Sequence, residues 1–255
     1  MTTEKKSAET RERAGKRALV TGGSRGIGAT VVRRLPDAGA GVLTTAGSRT
    51  GTVPEGAAFV EAGLRTRAGA EALAEAARET LGGVDILVDN AGGARPFPHA
   101  RAVPDEEWQD RLDLNHLPAV RLDSPLTPGT RERRPDAVVH VSPAAVPPSA
   151  PPFPHYTAAK AALRNHSRGP ALELAPFGAR VDTVPPGGTA TPGGEATREE
   201  WARPEEGPGR DDTSPPPGRD GRPDDIADAV LFLVSDRSSR LTGQNVTVDG
   251  GEFPV

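Results

Sequence analysis

The chain has 255 residues, with 31 basic and 35 acidic side chains and a formal net charge of −4. This mixed, slightly acidic balance provides no basic field of the kind that binds nucleic acid, so we expect no nucleic-acid partner. The absence of cysteine excludes disulfides, thiolate zinc sites and a cysteine nucleophile. We find no signal peptide or membrane span in the sequence, which predicts a soluble cytoplasmic protein without a membrane partner.

We expect one folded domain preceded by a short arm. Residues 1–14 are mostly charged or polar and predict a mobile N-terminal arm, whereas residues 15–255 contain the apolar runs of a single domain. Glycine and proline are frequent, at 30 and 27 residues, and only 4% of residues are aromatic. This composition reduces the stability that a packed core can provide.

Apolar runs alternate with helical stretches along the chain. Short β-branched or apolar runs predict strands at 17–21, 42–45, 58–60, 84–88, 137–141, 179–184 and 245–248. Helices are predicted at 27–35, 66–81 with Thr66 as N-cap, 108–122, around 156–160, and 224–234. This alternation indicates βαβ units and an α/β fold, a doubly wound parallel sheet with helices on both faces in a three-layer αβα sandwich.

The segment from about 187 to 223 is polar, rich in Gly, Pro, Asp and Glu, and without a clear period. A loop of this length inside a compact domain is either a lid over a binding site or a disordered segment. We describe it as lid-like.

The turn between the first predicted strand and the first helix is rich in glycine. Residues 21–28 read Thr-Gly-Gly-Ser-Arg-Gly-Ile-Gly. Backbone N–H groups and the helix dipole at such a turn can bind a pyrophosphate, and glycine permits its close approach. The spacing Gly-x-x-x-Gly-x-Gly differs from the commoner Gly-x-Gly-x-x-Gly fingerprint, and a plain strand-to-helix turn is the alternative. Its position in the first βα unit favours binding.

Tyr156 and Lys160 lie four residues apart in an alanine-rich stretch that favours helix, so they share one helical face. A lysine ammonium beside a phenol favours the phenolate and lowers the phenol pKa from its ordinary value of about 10. The pair can therefore act as a general acid/base. An exposed helical pair without chemistry is the more common explanation of this spacing alone, and other motifs are needed to argue against it.

Together the motifs resemble those of the short-chain dehydrogenase/reductase family, over residues 16–252 and in the family's order and separations. They are Thr21-Gly22-x-x-x-Gly26-x-Gly28, Asn90-Ala91-Gly92, Asn115, a serine near 142, Tyr156-x-x-x-Lys160 and Pro186-Gly187. The resemblance implies a Rossmann-type fold that binds NAD or NADP. It also implies hydride transfer between the nicotinamide and a carbonyl or alcohol carbon, with the protein supplying position and a proton.

The resemblance also implies roles for individual residues. Tyr156 would donate or accept the proton, and Lys160 would bind the nicotinamide ribose and lower the tyrosine pKa. Asn115 would hold a water that links Lys160 to solvent, and Ser142 would hydrogen-bond the substrate oxygen. Besides Tyr156 and Lys160, the cofactor would contact Gly22, Ser24, Arg25, Gly26, Ile27, Gly28, Arg49, Asn90, Ala91, Gly92, Pro186, Gly187 and Thr191.

The end of the second predicted strand bears on the choice between NAD and NADP. A carboxylate there suits the ribose hydroxyls, whereas cations suit a 2′-phosphate. Residues 44–49 read Thr-Thr-Ala-Gly-Ser-Arg and contain no acid, and Arg49 with Arg25 can clamp a phosphate. Two solvated surface arginines are the alternative. We predict NADP, with NAD as the second choice.

Several positions depart from the family pattern. Pro143 stands where the resemblance places the catalytic serine, so Ser142 serves only if one extra residue is present there. Gly63 replaces the acid expected to bind the adenine amino group, and Asp182 replaces the usual asparagine before the Pro-Gly turn. Prolines also fall in or near segments that the family makes helical, at positions 36, 118, 125, 128 and 170. An interior helix proline costs about 3 kcal/mol, unless helix boundaries shift to place it in a first turn.

The five histidines show no metal-ligand spacing with nearby carboxylates, and we expect no metal site. His155 is next to Tyr156 and is a candidate substrate contact, although a structural role is the more common one.

We predict an NADP-dependent oxidoreductase that interconverts a ketone and a secondary alcohol, with a small carbonyl or alcohol compound as its substrate. The three residues between Tyr156 and Lys160 favour carbonyl over enoyl reduction, since the enoyl reductases that resemble the family usually have six there. Two alternatives stay open: a catalytically impaired relative that binds dinucleotide as a sensor or structural partner, and a methyltransferase with a similar glycine loop. The resemblance also implies a homo-oligomer, a tetramer or dimer, built through the helices of Asn115 and Tyr156.

Overall fold

The structure, a computed structural model, describes residues 13–47, 53–126, 136–143, 152–201 and 216–253. Six parallel strands form one sheet in the order β3-β2-β1-β4-β5-β6. The strands are β1 (Arg17–Thr21), β2 (Gly41–Ala46), β3 (Ala57–Glu61), β4 (Ile86–Asp89), β5 (Ala137–Val141) and β6 (Arg180–Val184). The chain reverses its direction of travel across the sheet between β1 and β4, where doubly wound sheets bind ligands at the carboxyl ends of the strands.

Helices cover both faces of this sheet, which confirms the predicted doubly wound αβα sandwich. They are α1 (Gly26–Asp37), α2 (Arg67–Leu81), α3 (Asp105–Asn115), α4 (Leu117–Leu126), α5 (Pro154–His166), α6 (Arg168–Leu174), α7 (Pro192–Trp201) and α8 (Pro223–Leu233). Helices α1 and α8 pack on one face, and α2, α4 and α6 pack on the other. Helix α3 packs against α5. No helix in the described part of the chain is long and apolar enough to cross a membrane.

Apolar side chains of the central strands are buried on both faces of the sheet. Ala18 and Val20 of β1 belong to the core beneath α1 and α8, and Leu19 between them belongs to the core beneath α2 and α4. Alternate residues of a strand point to opposite faces, so a sheet covered on both sides requires unbroken apolar runs. This requirement explains why β1, β4 and β5 were readable from the sequence as short continuous apolar segments.

The predicted helix over 108–122 is in fact two helices. Helix α3 ends at Asn115, His116 leaves helical geometry with φ −128° and ψ −57°, and α4 begins at Leu117. Pro118 is therefore the second residue of α4, where its missing N–H group costs little. Pro170 likewise lies in the first turn of α6, so helix boundaries have shifted at both prolines.

Two further prolines lie near the ends of helices. Pro36 and Pro125 lie in the last turns of α1 and α4, and Pro128 lies outside the described residues. The predicted strand at 245–248 is wrong, because this segment makes only two isolated bridges, from Asn245 to Thr183 and from Val248 to Pro186. The expected N-cap at Thr66 is confirmed, since its hydroxyl accepts a hydrogen bond from the Gly69 N–H at 3.1 Å.

The lid-like segment and the N-terminal arm are partly described. Helix α7 occupies residues 192–201, a bridge joins Thr189 to Gly221, and residues 202–215 lie outside the described residues. Of the predicted arm, only residues 13 and 14 are described. The Arg13 side chain is buried and forms an ion pair with Asp236 at 3.2 Å, so this residue belongs to the folded domain.

An ion pair between β1 and the turn before β4 generates a stability prediction. The Asp85 carboxylate accepts hydrogen bonds from Arg17 N (3.0 Å), Nε (2.7 Å) and Nη2 (2.6 Å). Burial alone would raise the pKa of Asp85, but the Arg17 guanidinium outweighs it and holds that pKa below its ordinary value. A lowered carboxyl pKa contributes stability above the unfolded-state pKa of about 4, and that stability is lost as pH falls through the folded-state pKa.

We therefore expect Asp85→Asn to lower the free energy of unfolding by about 1.5–3 kcal/mol at pH 7, as for other hydrogen bonds to charged groups. The difference from the wild type should shrink as the pH falls below about 4. Urea unfolding at several pH values measures both effects. Glu61→Gln, at an exposed carboxylate, is the control and should have little effect. An Asp85→Asn variant with wild-type stability at pH 7 would contradict the assignment.

Candidate active site

The glycine loop has the geometry of an anion-binding turn at the start of α1. Gly22 and Gly26 adopt φ values of 68° and 57°, in the left-handed region that favours glycine. A Cβ atom at Gly28 would lie 2.3 Å from the Gly22 carbonyl oxygen and 2.4 Å from Asn90 Nδ2. The N-cap residue Arg25 provides no side-chain cap, and the first turn of α1 contains no acid. The free N–H groups and the dipole of α1 can therefore bind a phosphate.

Asn90 holds this loop against the end of β4. Its Nδ2 donates to the carbonyls of Thr21 (3.0 Å) and Gly22 (3.1 Å). In return, the Thr21 hydroxyl oxygen accepts from the N–H groups of Asn90 and Ala91, both at 3.0 Å. The Asn90 side chain therefore positions the loop, and the bracing role of Thr21 was missed in the sequence.

The loop after β6 lies over the start of α1. A Cβ atom at Gly26 would be 3.4 Å from Thr191 Cβ, so these two predicted cofactor contacts are neighbours. The Thr191 hydroxyl accepts from the Gly194 N–H at 3.0 Å at the start of α7. The Gly187 N–H donates to the Val248 carbonyl at 3.1 Å, and a Cβ there would be 2.7 Å from Asp249 Cβ. The close packing explains why residue 187 is glycine.

Lys160, Asn115 and Gly92 converge beneath the carboxyl ends of β4 and β5. Lys160 is buried, and its ammonium donates to the Val141 carbonyl at 2.9 Å. A Cβ at Gly92 would be 2.8 Å from Asn115 Oδ1 and 3.2 Å from Lys160 Nζ. The structure therefore brings these three predicted site residues close together.

The Asn115 amide fixes the chain that follows Gly92. Its Oδ1 accepts from the Gly93 N–H at 3.0 Å, and its Nδ2 donates to the carbonyls of Gly93 and Arg111, both at 3.1 Å. The buried Arg111 donates from Nη1 to the same Gly93 carbonyl at 3.1 Å and lies beside Glu107 and Asp110. Arg111 was missed in the sequence, although its position one helical turn before Asn115 was a usable signal.

Burial changes the pKa values of both members of the Tyr156–Lys160 pair. It raises the pKa of Tyr156 to about 12. It lowers the pKa of Lys160 to about 8, against the opposing charge of Asp89. The expected lowering of the tyrosine pKa is therefore wrong for the protein alone, because burial dominates and the ammonium is directed at the Val141 carbonyl.

Two neighbours of the pair have structural partners. Ser142 is buried at the end of β5, and its hydroxyl donates to the Lys160 main-chain carbonyl at 3.3 Å. His155 is buried with Phe97 and Trp108, at ring-centroid distances of 5.2 and 6.1 Å. His155 therefore belongs to an aromatic cluster, in line with the structural alternative. The role of Ser142 toward substrate stays a prediction.

The positions that bear on cofactor choice are only partly described. Arg25 is exposed beside the glycine loop, and Arg49 lies outside the described residues. A Cβ at Gly63 would meet no atom within 4 Å, and Asp182 accepts from the Gln244 N–H at 2.9 Å.

A separate cavity of about 280 Å³ lies at the opposite edge of the sheet, against Arg17 and Pro125, and shares no residue with the candidate site.

The parallel sheet, with its glycine loop at the start of α1, has the architecture of the doubly wound dinucleotide-binding class. A family model described as enoyl-(acyl carrier protein) reductase matches residues 22–252. The chain belongs to the short-chain dehydrogenase/reductase family. It is thus an enzyme of a family of NAD(P)-dependent oxidoreductases.

Curated relatives and solved structures match over almost the whole chain. A 3-oxoacyl-[acyl-carrier-protein] reductase of Vibrio cholerae is 32% identical, with 94% of this chain and 98% of that protein covered. An L-xylulose reductase of Bos taurus is 35% identical, with 93% and 96% covered. A solved short chain dehydrogenase/reductase family protein superposes with a TM-score of 0.83 at 33% identity, covering 96% of this chain and all of that one. A 3-ketoacyl-(acyl-carrier-protein) reductase from Brucella melitensis, complexed with NADH, gives 0.81 at 28% identity, with 93% and 98% covered.

Because Gly28 leaves no room for a side chain, we expect Gly28→Ala to weaken dinucleotide binding at least tenfold. The added methyl group must displace either the Gly22 carbonyl or the Asn90 amide that shapes the loop. Fluorescence titration with NADPH and with NADH measures the effect. The control is Gly169→Ala, because a Cβ at Gly169 meets no atom within 4 Å. Equal affinities for the two variants would contradict the proposed phosphate loop, provided that both retain the wild-type circular dichroism spectrum.

Proposed function

We propose that the protein is an NADP-preferring ketoreductase that interconverts a ketone and a secondary alcohol. The observation that carries the proposal is the convergence of Lys160 and Asn115 on Gly92, next to the glycine loop. We take the glycine loop to hold the dinucleotide, Lys160 to bind its ribose and Asn115 to serve the proton transfer. We also propose that the protein is soluble and cytoplasmic and forms a homo-oligomer, a tetramer or a dimer, as the sequence led us to expect.

The residues present fit a dinucleotide. The α1 N-terminus and the glycine loop would hold the pyrophosphate, and the Pro186–Thr191 loop would cover the nicotinamide half. Lys160 would bind the nicotinamide ribose. The bound cofactor supplies the hydride, and the protein has to supply orientation and a proton.

The raised pKa of Tyr156 favours ketone reduction over alcohol oxidation near neutral pH. With a pKa of about 12, the Tyr156 hydroxyl is protonated throughout the neutral range and can donate its proton to the oxygen of a ketone under reduction. Oxidation of an alcohol needs the phenolate instead. The raised pKa therefore opposes oxidation near neutral pH and makes it more favourable at alkaline pH.

The relatives support ketone reduction over enoyl reduction. The two curated relatives named above are described as reductases of 3-oxoacyl thioesters of acyl carrier protein and of L-xylulose, both of which contain a ketone. The matching family model is described as an enoyl reductase. The spacing of three residues between Tyr156 and Lys160 supports the ketoreductase interpretation. We propose a β-ketoacyl thioester or a ketose as the first substrate classes to examine.

We expect Tyr156→Phe to reduce kcat for NADPH-dependent ketone reduction by at least a hundredfold, because general acid catalysis contributes about 10²–10⁴-fold. The affinity for NADPH should stay within about threefold of the wild type, since the ring remains in place. Loss of NADPH absorbance with acetoacetyl-CoA, ethyl acetoacetate and L-xylulose measures turnover. Tight NADPH binding without turnover of any ketone by the wild type would contradict the proposal and support a sensor role.

Arg25 supplies the positive charge beside the glycine loop, so it is our candidate for binding the 2′-phosphate of NADP. We expect Arg25→Ala to raise the Kd for NADPH about tenfold and to leave the Kd for NADH nearly unchanged. Titration of both cofactors at one salt concentration measures the ratio. Arg33→Ala, farther along α1 in an exposed position, is the matched control. An unaltered NADPH-to-NADH preference in Arg25→Ala would remove Arg25 from this role.

A further inference from the structure

Three buried polar residues meet behind Lys160. Asp89 ends β4, His140 lies beside it on β5, and Asp123 comes from α4. Their exposed fractions are 5%, 0% and 7%, respectively. One ligand-type atom from each residue lies within 4.8 Å of the other two. No step of the proposed reaction uses these side chains.

Four ligand-type atoms of this cluster make no hydrogen bond to any residue that the structure describes. They are both carboxylate oxygens of Asp89, Oδ1 of Asp123 and Nε2 of His140. A buried polar atom without a partner costs about 1–3 kcal/mol, and more when it is charged. Four such atoms close to one another form an arrangement that a bound ion would satisfy.

The contact of His140 Nδ1 with Ser167 shows that Nε2 is the ring nitrogen available to bind an ion. Ser167 Oγ donates its hydrogen to the Leu163 carbonyl at 2.9 Å, so at 2.6 Å from His140 Nδ1 it acts as the acceptor. Nδ1 then carries a hydrogen, and Nε2 faces the two carboxylates. A histidine that donates through one nitrogen to a fixed acceptor and presents the other is the usual arrangement of a metal ligand.

The distances from His140 Nε2 to the two carboxylates are longer than those of a hydrogen-bonded ion pair. His140 Nε2 lies 3.5 Å from Asp89 Oδ2 and 3.8 Å from Asp123 Oδ1. Hydrogen bonds from an imidazolium to carboxylates are about 2.7–2.9 Å, and both observed distances are longer than this. Two ligands of a tetrahedral ion at about 2.1 Å are about 3.4 Å apart, which is close to the observed spacing.

We propose that Asp89, Asp123 and His140 bind one divalent first-row transition metal ion, with Zn²⁺ or Mn²⁺ the best match. One imidazole nitrogen and two carboxylates form a donor set that suits these ions, and an Asp89 carboxylate bound through both oxygens completes four donors. Two carboxylates balance the 2+ charge, while the Lys160 ammonium, which interacts with Asp89, acts against it. The second oxygen of Asp123 is held by His166 Nε2 at 2.8 Å, which orients the carboxylate.

The ion would act as a structural link beneath the candidate site. Asp89 precedes Asn90, and His140 precedes Val141, whose carbonyl accepts the Lys160 hydrogen bond. Joining Asp89 to His140 therefore fixes the strand ends that hold the glycine loop and the lysine. This proposal departs from the sequence expectation of no metal site, because its ligands come from three separate elements and show no local spacing.

The test measures metal binding directly and does not depend on turnover. The full chain is purified without a metal-affinity step, stripped with a chelator, and titrated with Zn²⁺, Mn²⁺ and Co²⁺. We expect one ion per chain by elemental analysis after gel filtration, a Co²⁺ spectrum typical of nitrogen and oxygen ligands, and a higher Tm with metal. His140→Asn should weaken binding at least tenfold and abolish the Tm shift.

Two further variants keep the test decisive. His99→Asn removes an exposed imidazole that is not part of the cluster and should bind metal like the wild type. Asp123→Asn should weaken binding as His140→Asn does, and provides the result if His140→Asn does not fold. A wild type that retains no metal, or equal binding by wild type and a folded ligand variant, would overturn the proposal and leave a proton as the occupant. Failure of ketone reduction with intact metal binding would instead count only against the proposed function.

Discussion

A buried ammonium group, that of Lys160, is the constraint on which the candidate site depends. A charge taken out of water costs several kcal/mol unless it is paired or hydrogen-bonded. Here the Val141 carbonyl at 2.9 Å accepts its hydrogen bond, and the Asp89 carboxylate opposes the fall in its pKa. The lysine is thereby held between the ends of β4 and β5. Glycine at position 92 leaves room for this arrangement, because a Cβ there would lie 2.8 Å from Asn115 Oδ1 and 3.2 Å from Nζ.

The parallel sheet and the break between α3 and α4 bring the other site residues close to Lys160. Parallel strands place their carboxyl ends at one edge, so the glycine loop, Asn90 and the loop after β6 meet there without any local sequence contact. The break at His116 ends α3 at Asn115, whose amide then locks the chain at Gly93. Pro118 is thus compatible with the site, because it begins a new helix instead of distorting one.

Much of this arrangement could be predicted from the sequence, and the parts that could not share a physical cause. Apolar or β-branched runs predicted all six strands, and burial on both faces explains the continuous apolar runs of β1, β4 and β5. The break at His116 was one of two outcomes open in the sequence, because Pro118 either interrupts a helix or lies in the first turn of a new one. The segment at 245–248 makes too few bridges to form a strand. The raised pKa of Tyr156 and the Asp89–Asp123–His140 cluster depend on burial and on residues far apart in sequence, which spacing does not reveal.

The most direct measurement of the central claim is the transfer of deuterium from NADPH deuterated at both C4 positions of the nicotinamide to a ketone. The account predicts one deuterium on the carbon of the new alcohol, detected by mass spectrometry. This transfer should occur in the wild type. An enzyme that binds NADPH but yields no deuterated alcohol from β-ketoacyl thioesters or ketoses would contradict the account.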